Sequence, residues 1–589
     1  MMKFGWSVAV MSSMVLTEAI TSFGVLAQQP LYLAYPPVNH KTTADRIFFV
    51  GAAATEGLVS INGQPIKRSL AGYFAPTFPL QVGDNRFTIR YKNQTIERNI
   101  TRLSNQPNLP QTAAFAPNSL VPQSAIARLP GEEICFGAIA APAARVSVTI
   151  GNQTLPLNLA NQTQLPANSA LLTARNQSTT LSEGQFQGCG HFDRPGSFGM
   201  PQFLVQLNGQ QRQLPGAGTV EILSPEALPA VEVIAESGTA RTGPSTDYSR
   251  LTPLPKGTVA QVTGRDGNWL RLDYGGWILQ SETRSLALGQ PTQSVIRSVS
   301  SRQREGVTEI LFPLQVPVPV TVSQGDRTFT LTLHNTIAQT DTIRLDDDPL
   351  IKRLDWTPLL PKGVQYVFTL KTEQQWGYSL RYEGNTLILS LRHPPKFPRQ
   401  DLQGARILID PGHGGNELGS SGPNGYPEKA VNLRVSQLLA QQLGQRGATV
   451  YLTRESDRDL SLQERVALID RLQPTLSISI HYNALPDGGN AEQTQGISAF
   501  WYQPQAHDLA VFLEDYLVKK LNRPSYGVFW NNLALTRPSS APSILLELGF
   551  MINPQEFEWV IDGQSQQRLA QTLAQGISDW LQAKASNQN

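Results

Sequence analysis

A string of β-rich modules followed by one α/β domain is the architecture this sequence predicts, and three observations predict it. With 589 residues, 40% of them hydrophobic, the chain can bury several separate cores, because single domains usually run about 100–200 residues. As far as about residue 395, short stretches alternate apolar and polar positions between turn signals, which is the grammar of strands. Beyond about residue 404 the pattern becomes buried strands alternating with amphipathic helices, the grammar of an α/β fold.

Charge excludes one large class of partner. Lys+Arg is 48 against Asp+Glu 46, a net charge of +2, and no long basic stripe offers a footprint for nucleic acid. The chain opens Met1-Met2-Lys3, continues with a largely apolar stretch from Phe4 to Leu26, and presents Val25-Leu26-Ala27 before Gln28. Small residues at those positions fit a signal peptide over 1–27, cleaved after Ala27; Glu18 interrupts the apolar run, and an uncleaved anchor helix is the alternative. Once it is cleaved, no other segment is long and apolar enough to span a bilayer, so an exported protein without a stable membrane span is expected. Two cysteines, Cys135 and Cys189, then predict one structural disulfide, two free buried thiols being the other reading.

The β-rich part divides into four modules. Over 45–103, Asn62-Gly63 marks a hairpin, and Gly83-Asp84-Asn85-Arg86 reads as a turn before a strand starting at Phe87. This segment resembles bacterial immunoglobulin-like modules. After a Pro/Asn/Gln-rich linker near 104–123, a second β-sandwich-like domain over 124–225 holds both cysteines. Over 230–284, the runs Thr239-Ala240-Arg241-Thr242-Gly243-Pro244, Gly267-Asn268-Trp269-Leu270 and Gly276-Trp277-Ile278 resemble the bacterial SH3-like barrel often attached to cell-wall hydrolases. Its Trp269 and Trp277 either contact wall peptides or fill a small core. Over 300–395, strands at Thr328–Leu333, Gln365–Leu370 and Thr386–Leu391 look like the β-rich targeting domain found ahead of the catalytic unit in many amidases; a passive spacer is the alternative.

The last domain, 404–584, carries the chemistry. Arg406–Asp410 reads as a short buried strand, and Val431, Leu433, Val435, Leu438, Leu439 and Leu443 supply the apolar face of a helix entered at Pro427 and ended by Gly447. Ser461-Leu462-Gln463-Glu464 has the spacing of a capping box, and Leu476–His481 is a strand that places Ser477, Ser479 and His481 on one face. His413 follows the first strand on a glycine-rich turn, Asp410-Pro411-Gly412-His413-Gly414-Gly415, which lacks the residues of a phosphate loop. Glu428 starts the helix, where a carboxylate also suits the helix dipole. Glu547 lies within the apolar strand Ser543–Phe550, where burial costs a carboxylate its charge unless it is paired or protonated, so desolvation should raise its pKa while a nearby metal cation would pull the other way. Two imidazoles and a carboxylate are the donor set of a hydrolytic zinc site that keeps one position open for water.

These stretches, with Glu428-Lys429, Leu452-Thr453-Arg454, Ser479-Ile480-His481-Tyr482-Asn483-Ala484 and Leu546-Glu547-Leu548-Gly549-Phe550, resemble the type 3 N-acetylmuramoyl-L-alanine amidases. The resemblance implies a zinc hydrolase acting on a linear amide, with Zn2+ held by His413, Glu428 and His481 and with Glu547 as the catalytic carboxylate. It implies peptidoglycan as substrate, cleavage between N-acetylmuramic acid and L-alanine, a protein activator in some members, and a place in the periplasm or cell envelope. Arg454, Asp457, Arg465 and Asn483 are expected to support the scaffold. Some members carry a long autoinhibitory helix after the second histidine; here only Leu485–Gln495 separates Ala484 from the next strand, so no such plug is expected. A noncatalytic wall-binding protein and a zinc hydrolase of another amide are the rival readings. The modules ahead of residue 395 are expected to hold the enzyme on the wall, so their deletion should weaken wall binding more than cleavage of a small soluble substrate.

Overall fold

The computed structural model describes residues 30–586 apart from 106–107, 161, 167, 174–176, 182 and 398–400; the expected signal peptide lies outside them. A β-rich region of several packed units leads into one mixed α/β domain. Among the described residues no helix is long and apolar enough to cross a membrane.

The first unit starts earlier than its alternation pattern suggests, because Tyr32–Tyr35 and His40–Thr42 join its sheets, the first antiparallel to Val50–Ala52 and the second parallel to Gln94–Arg102. Asn62 and Gly63 both have positive φ (49° and 81°) and close the hairpin between Val59–Ile61 and Gln64–Pro65. Gly83–Arg86 is no turn: the strand runs Gly83–Tyr91. The Asn85 side chain ties Gln81 and Gly83 just before it, so the local turn chemistry sits at the strand's entry.

In the second unit Cys135 and Cys189 face each other across an antiparallel pair and form a disulfide. Its Ile126–Arg128 strand pairs with Val259–Asp266, so one sheet runs on into the region from 230 to 285. Trp277 is buried at that junction, with the Arg128 and Arg271 guanidiniums 5.7 and 5.9 Å from its ring, while Trp269 is half-buried. The fourth unit packs a five-stranded sheet on a four-stranded one around Ile296, Ile310, Phe329, Leu331, Tyr366 and Phe368.

In the C-terminal domain the strands β1 (Arg406–Pro411), β2 (Thr449–Leu452), β3 (Leu476–Asn483), β4 (Ile497–Trp501), β5 (Ser525–Trp530) and β6 (Ser543–Phe550) form one sheet in the order β2-β1-β3-β6-β4-β5. The first four in that order run parallel, and β4 reverses against β6. Helices α1 (Glu428–Gly444), α3 (His507–Leu521) and α5 (Gly563–Ser586) share one core with Ile407, Ile409, Ile478 and Ile480, while α2 (Leu462–Leu472) meets the opposite face through Ile469 against Leu408. Ser461 and Glu464 make the expected capping box of α2. A short helix α4 (Pro554–Ile561) follows β6. Trp376, from the fourth unit, packs at 5.6 Å on Trp580 within this same core, so the domain is built against its neighbour.

Candidate active site

Side-by-side parallel strands bring their C-terminal ends to one edge, and α/β folds bind ligands at such edges. β1 runs into the turn carrying His413, β3 carries His481, and in β6 Glu547 is the register partner of His481. α1 begins beside this edge and delivers Glu428 as its first residue, with Pro427 in extended conformation ahead of it. The three expected ligands therefore meet: one donor atom from each of His413, Glu428 and His481 lies within 4.8 Å of the others.

The contacts are specific. His413 Nε2 is 3.2 Å from Glu428 Oε2, and His481 Nδ1 is 3.1 Å from Glu428 Oε1. The two imidazoles stand edge to face at 4.9 Å. Glu428 also accepts hydrogen bonds from the Ser420 and Tyr482 amides and from Asn432 Nδ2, at 2.8, 3.1 and 3.0 Å. Burial disfavours its charge, but His413 and His481 outweigh that and hold the carboxyl far below its usual range. Burial also works against a charged His413, yet Glu428 and Glu417 raise its pKa.

The turn is held in place by buried cations. His413 itself has φ 59°, in the left-handed region, a cost that surrounding contacts must offset. Arg465 bonds the Asp410 carboxylate at 2.7 Å and the Pro411 and His413 carbonyls at 2.8 Å each. Arg454 takes the Pro411 and Gly412 carbonyls at 3.0 and 2.8 Å. Lys429 bridges the Gly415 carbonyl and Asp457. At Gly412 a Cβ would lie 2.2 Å from the His481 ring, so only glycine lets the two histidines approach.

Glu547 is partly accessible through its side chain, but its Oε2 is sealed from solvent and has no hydrogen-bond partner. Burial, and then the charge of Glu428, push its carboxyl well above the ordinary range, the direction the apolar strand implies. The arrangement thus offers two imidazoles and an ionised carboxylate converging on one point, beside a carboxyl poised to exchange a proton. The orphaned Oε2 and the all-acceptor convergence of His413, Glu428 and His481 fit a divalent cation of zinc's preferences.

Arg454, Asp457 and Arg465 hold the turn, whereas the Asn483 side chain accepts from the next amide, that of Ala484. Two supporting residues escaped sequence reasoning. Asn432 is one helical turn after Glu428 and interrupts the apolar face of α1, a readable signal. Glu417 meets His413 Nδ1 at 3.0 Å from an irregular loop and left no periodic trace.

Fold and site together define an α/β domain with a candidate metal-binding cluster of two histidines and a glutamate. Residues 407–579 match the family model described as N-acetylmuramoyl-L-alanine amidase, and residues 237–283 match that of the bacterial SH3 domain. The chain carries a type 3 N-acetylmuramoyl-L-alanine amidase domain with a bacterial SH3 domain upstream. It is similar to the probable cell wall amidase LytH of Staphylococcus epidermidis, 32% identical over 182 residues, which is 31% of this chain and 60% of that protein. LytH of Staphylococcus aureus is likewise 32% identical, over 187 residues and 61% of its length; the chain thus spans about 60% of these relatives. Among solved structures it is similar to an N-acetylmuramoyl-L-alanine amidase from Clostridium difficile 630, at 30% identity over 30% of this chain and 96% of that one, TM-score 0.29. AmiC2 of Nostoc punctiforme matches at 31% identity over 30% and 97% of the two chains, TM-score 0.29.

Proposed function

We propose that this protein hydrolyses the amide bond between the lactyl carbonyl of N-acetylmuramic acid and L-alanine in peptidoglycan, with Zn2+ held by His413, Glu428 and His481. The observation that carries the reading is the convergence of those three donors within 4.8 Å beside Glu547, inside the segment that matches the amidase model. When bound, Zn2+ supplies an acidified water and a polarised amide carbonyl. Glu547 takes the proton of the attacking water and returns it to the departing L-alanine amine; burial and the charge of Glu428 raise its pKa, which favours its taking up that proton. Arg465 and Arg454 keep His413 on its strained turn, and Asn432 with the Ser420 and Tyr482 amides orients Glu428.

Export to the periplasm or cell envelope is part of the proposal, supported by the N-terminal sequence and by the Cys135–Cys189 disulfide. So are an immunoglobulin-like first module, an SH3-like barrel over 230–284 and a targeting role for the fourth. Ala484–Gly496 contains turns and no helix, which supports an enzyme without an internal plug.

Mass analysis of products from purified peptidoglycan tests the reading, with Glu547→Ala and chelator-treated protein as controls. Peptides with a free N-terminal L-alanine, absent from both controls, are expected. Release at another bond would overturn the substrate; wall binding without release would point to a binding protein or to a required protein activator.

A further inference from the structure

The first β-unit does not hang on a tether. It is docked on the α/β domain, and several of its contacts fall on segments adjoining residues of the candidate centre. Four residues beyond the end of β3, the strand that carries His481, the Asp487 carboxylate accepts a hydrogen bond from the Tyr35 hydroxyl and lies 2.9 Å from His40 Nε2. Tyr35 Oη and His40 Nε2 are themselves 3.1 Å apart, closing a three-membered cluster. Around it Phe48, Val50 and Ala75 of the β-unit form one apolar cluster with Leu485, Phe550 and Ile552. Leu485 follows His481 by four residues, and Phe550 follows Glu547 by three.

Elsewhere on the same face, the Tyr73 ring stands edge-on to Phe557 at 5.1 Å, and the Ala71 amide bonds Glu558 at 3.0 Å. Tyr32 presses on the loop between His413 and Glu428, its hydroxyl 2.7 Å from where a Cβ on Gly425 would lie. The loops beside His413, Glu428, His481 and Glu547 are thus all held by one neighbouring unit.

We infer that residues 31–102 brace the catalytic centre, with Asp487 as the positioning residue through which Tyr35 and His40 hold the loop after His481. The inference rests on the proposed function for the identity of that centre. Its physical basis is desolvation. The His40 and Asp487 side chains are only 19% and 21% exposed, so a charge at Asp487 without its partners would be poorly compensated. Burial opposes that charge, yet hydrogen bonds from Thr42, Tyr35 and His40 outweigh it and hold the carboxyl below its usual range. Burial, then Asp487, pushes the Tyr35 hydroxyl upward, so it stays a donor. Removing the partners leaves the loop to carry a buried charge alone, and the loop relaxes toward water together with the end of β3. For this unit the division of labour expected of a wall-binding module is therefore inverted: losing its contacts impairs the chemistry itself.

The test uses the full chain carrying Asp487→Ala, Asp487→Asn or Tyr35→Phe, the last nearly isosteric. It measures kcat and KM on a soluble muropeptide, and amide exchange over 482–496. Tyr35→Phe, which leaves the Asp487 charge short of a donor, and Asp487→Ala, which deletes the loop's tie to the β-unit, are each expected to lower kcat about tenfold or more, as a ligand displaced by a fraction of an ångström to 1 Å requires, with KM within about twofold. Exchange over 482–496 should rise, and Asp487→Asn, which still accepts from Tyr35, should recover part of both. An unchanged kcat with unchanged exchange would overturn the brace. A raised kcat would overturn it too, by showing that the contact restrains the enzyme. If the parent protein releases no free L-alanine terminus, the proposed function fails first; the exchange measurement then decides the docking on its own, unchanged exchange in Asp487→Ala refuting it.

Discussion

Arg465→Met removes the cation under the His413 turn while keeping much of its volume, and the structure sets the size of the effect. The Arg465 and Asp410 side chains are 3% and 1% exposed and pair at 2.7 Å, so solvent neither screens the pair nor replaces a lost partner. Breaking a buried pair from one side costs about 3–5 kcal/mol, against at most about 1 kcal/mol for an exposed one. Thr453 and Ser479 still donate to Asp410 at 2.6 Å each, which favours the lower half of that range. In the parent protein burial raises the Asp410 pKa, but Arg465, Ser479 and Thr453 bring it below the ordinary carboxylate value. Its stabilising contribution is therefore complete above the unfolded pKa and is lost as pH falls through the lower folded value. In the variant burial acts unopposed by Arg465, and the folded pKa moves above the unfolded one. Stability of the variant then rises on acidification between those two values, so the gap to the parent should narrow from pH 7 toward pH 4.5. Urea titration read by amide exchange on peptides of the C-terminal domain measures this without assuming that all units unfold together. A gap under about 1 kcal/mol at neutral pH, or one that widens with acid, would refute the argument.

Three further outcomes follow from the same geometry. Gly412→Ala should abolish metal retention and activity while the domain stays folded, because the new Cβ would sit 2.2 Å from the His481 ring; normal metal content by atomic spectroscopy would contradict the close approach. Metal affinity, measured by chelator competition, should fall as pH drops through the raised pKa of His413, about tenfold per pH unit for each proton displaced, since the metal must expel the proton that Glu428 and Glu417 stabilise; a flat profile from pH 7.5 to 5.5 would count against these ligands. Cys135→Ser/Cys189→Ser should destabilise the second β-unit by up to about 4 kcal/mol, the chain-entropy value for its loop, and leave cleavage of a soluble muropeptide unchanged; lost activity would show that this unit, too, supports the centre.

What could be read in advance was whatever local chemistry encodes. The helix that opens at Glu428 and the capping box at Ser461 depend on residues a few places apart, and both formed as the spacing predicts. Glu547 announced itself because a carboxylate in an otherwise apolar strand has no inexpensive place to go. The Gly83–Arg86 turn failed for a comparable reason: Asn85 carries turn chemistry, but it spends it on residues before the strand, and the pairing of Gly83–Tyr91 with Gln94–Arg102 decides the conformation.

Docking of the first unit was illegible because its key contact joins residues 452 positions apart, and nothing local distinguishes Asp487 from any polar residue in a turn. The interface also violates the expectation that modules linked in series act independently. Its aromatic and aliphatic side chains read, in sequence, as the inward face of a small sandwich, and some of them are; Phe48 and Val50 serve the interface, while Phe49 between them serves the core of the β-unit. Strand periodicity predicts two faces but not which neighbour covers each. The same ambiguity conceals Trp376, which belongs by position to the fourth unit and by packing to the core beneath α5. The candidate site residues were therefore legible from their chemistry, while the surroundings that hold them in register are a property of the assembled chain. On the bracing proposed above, the loops beside the candidate centre are in register only when a unit from the far end of the chain docks on them.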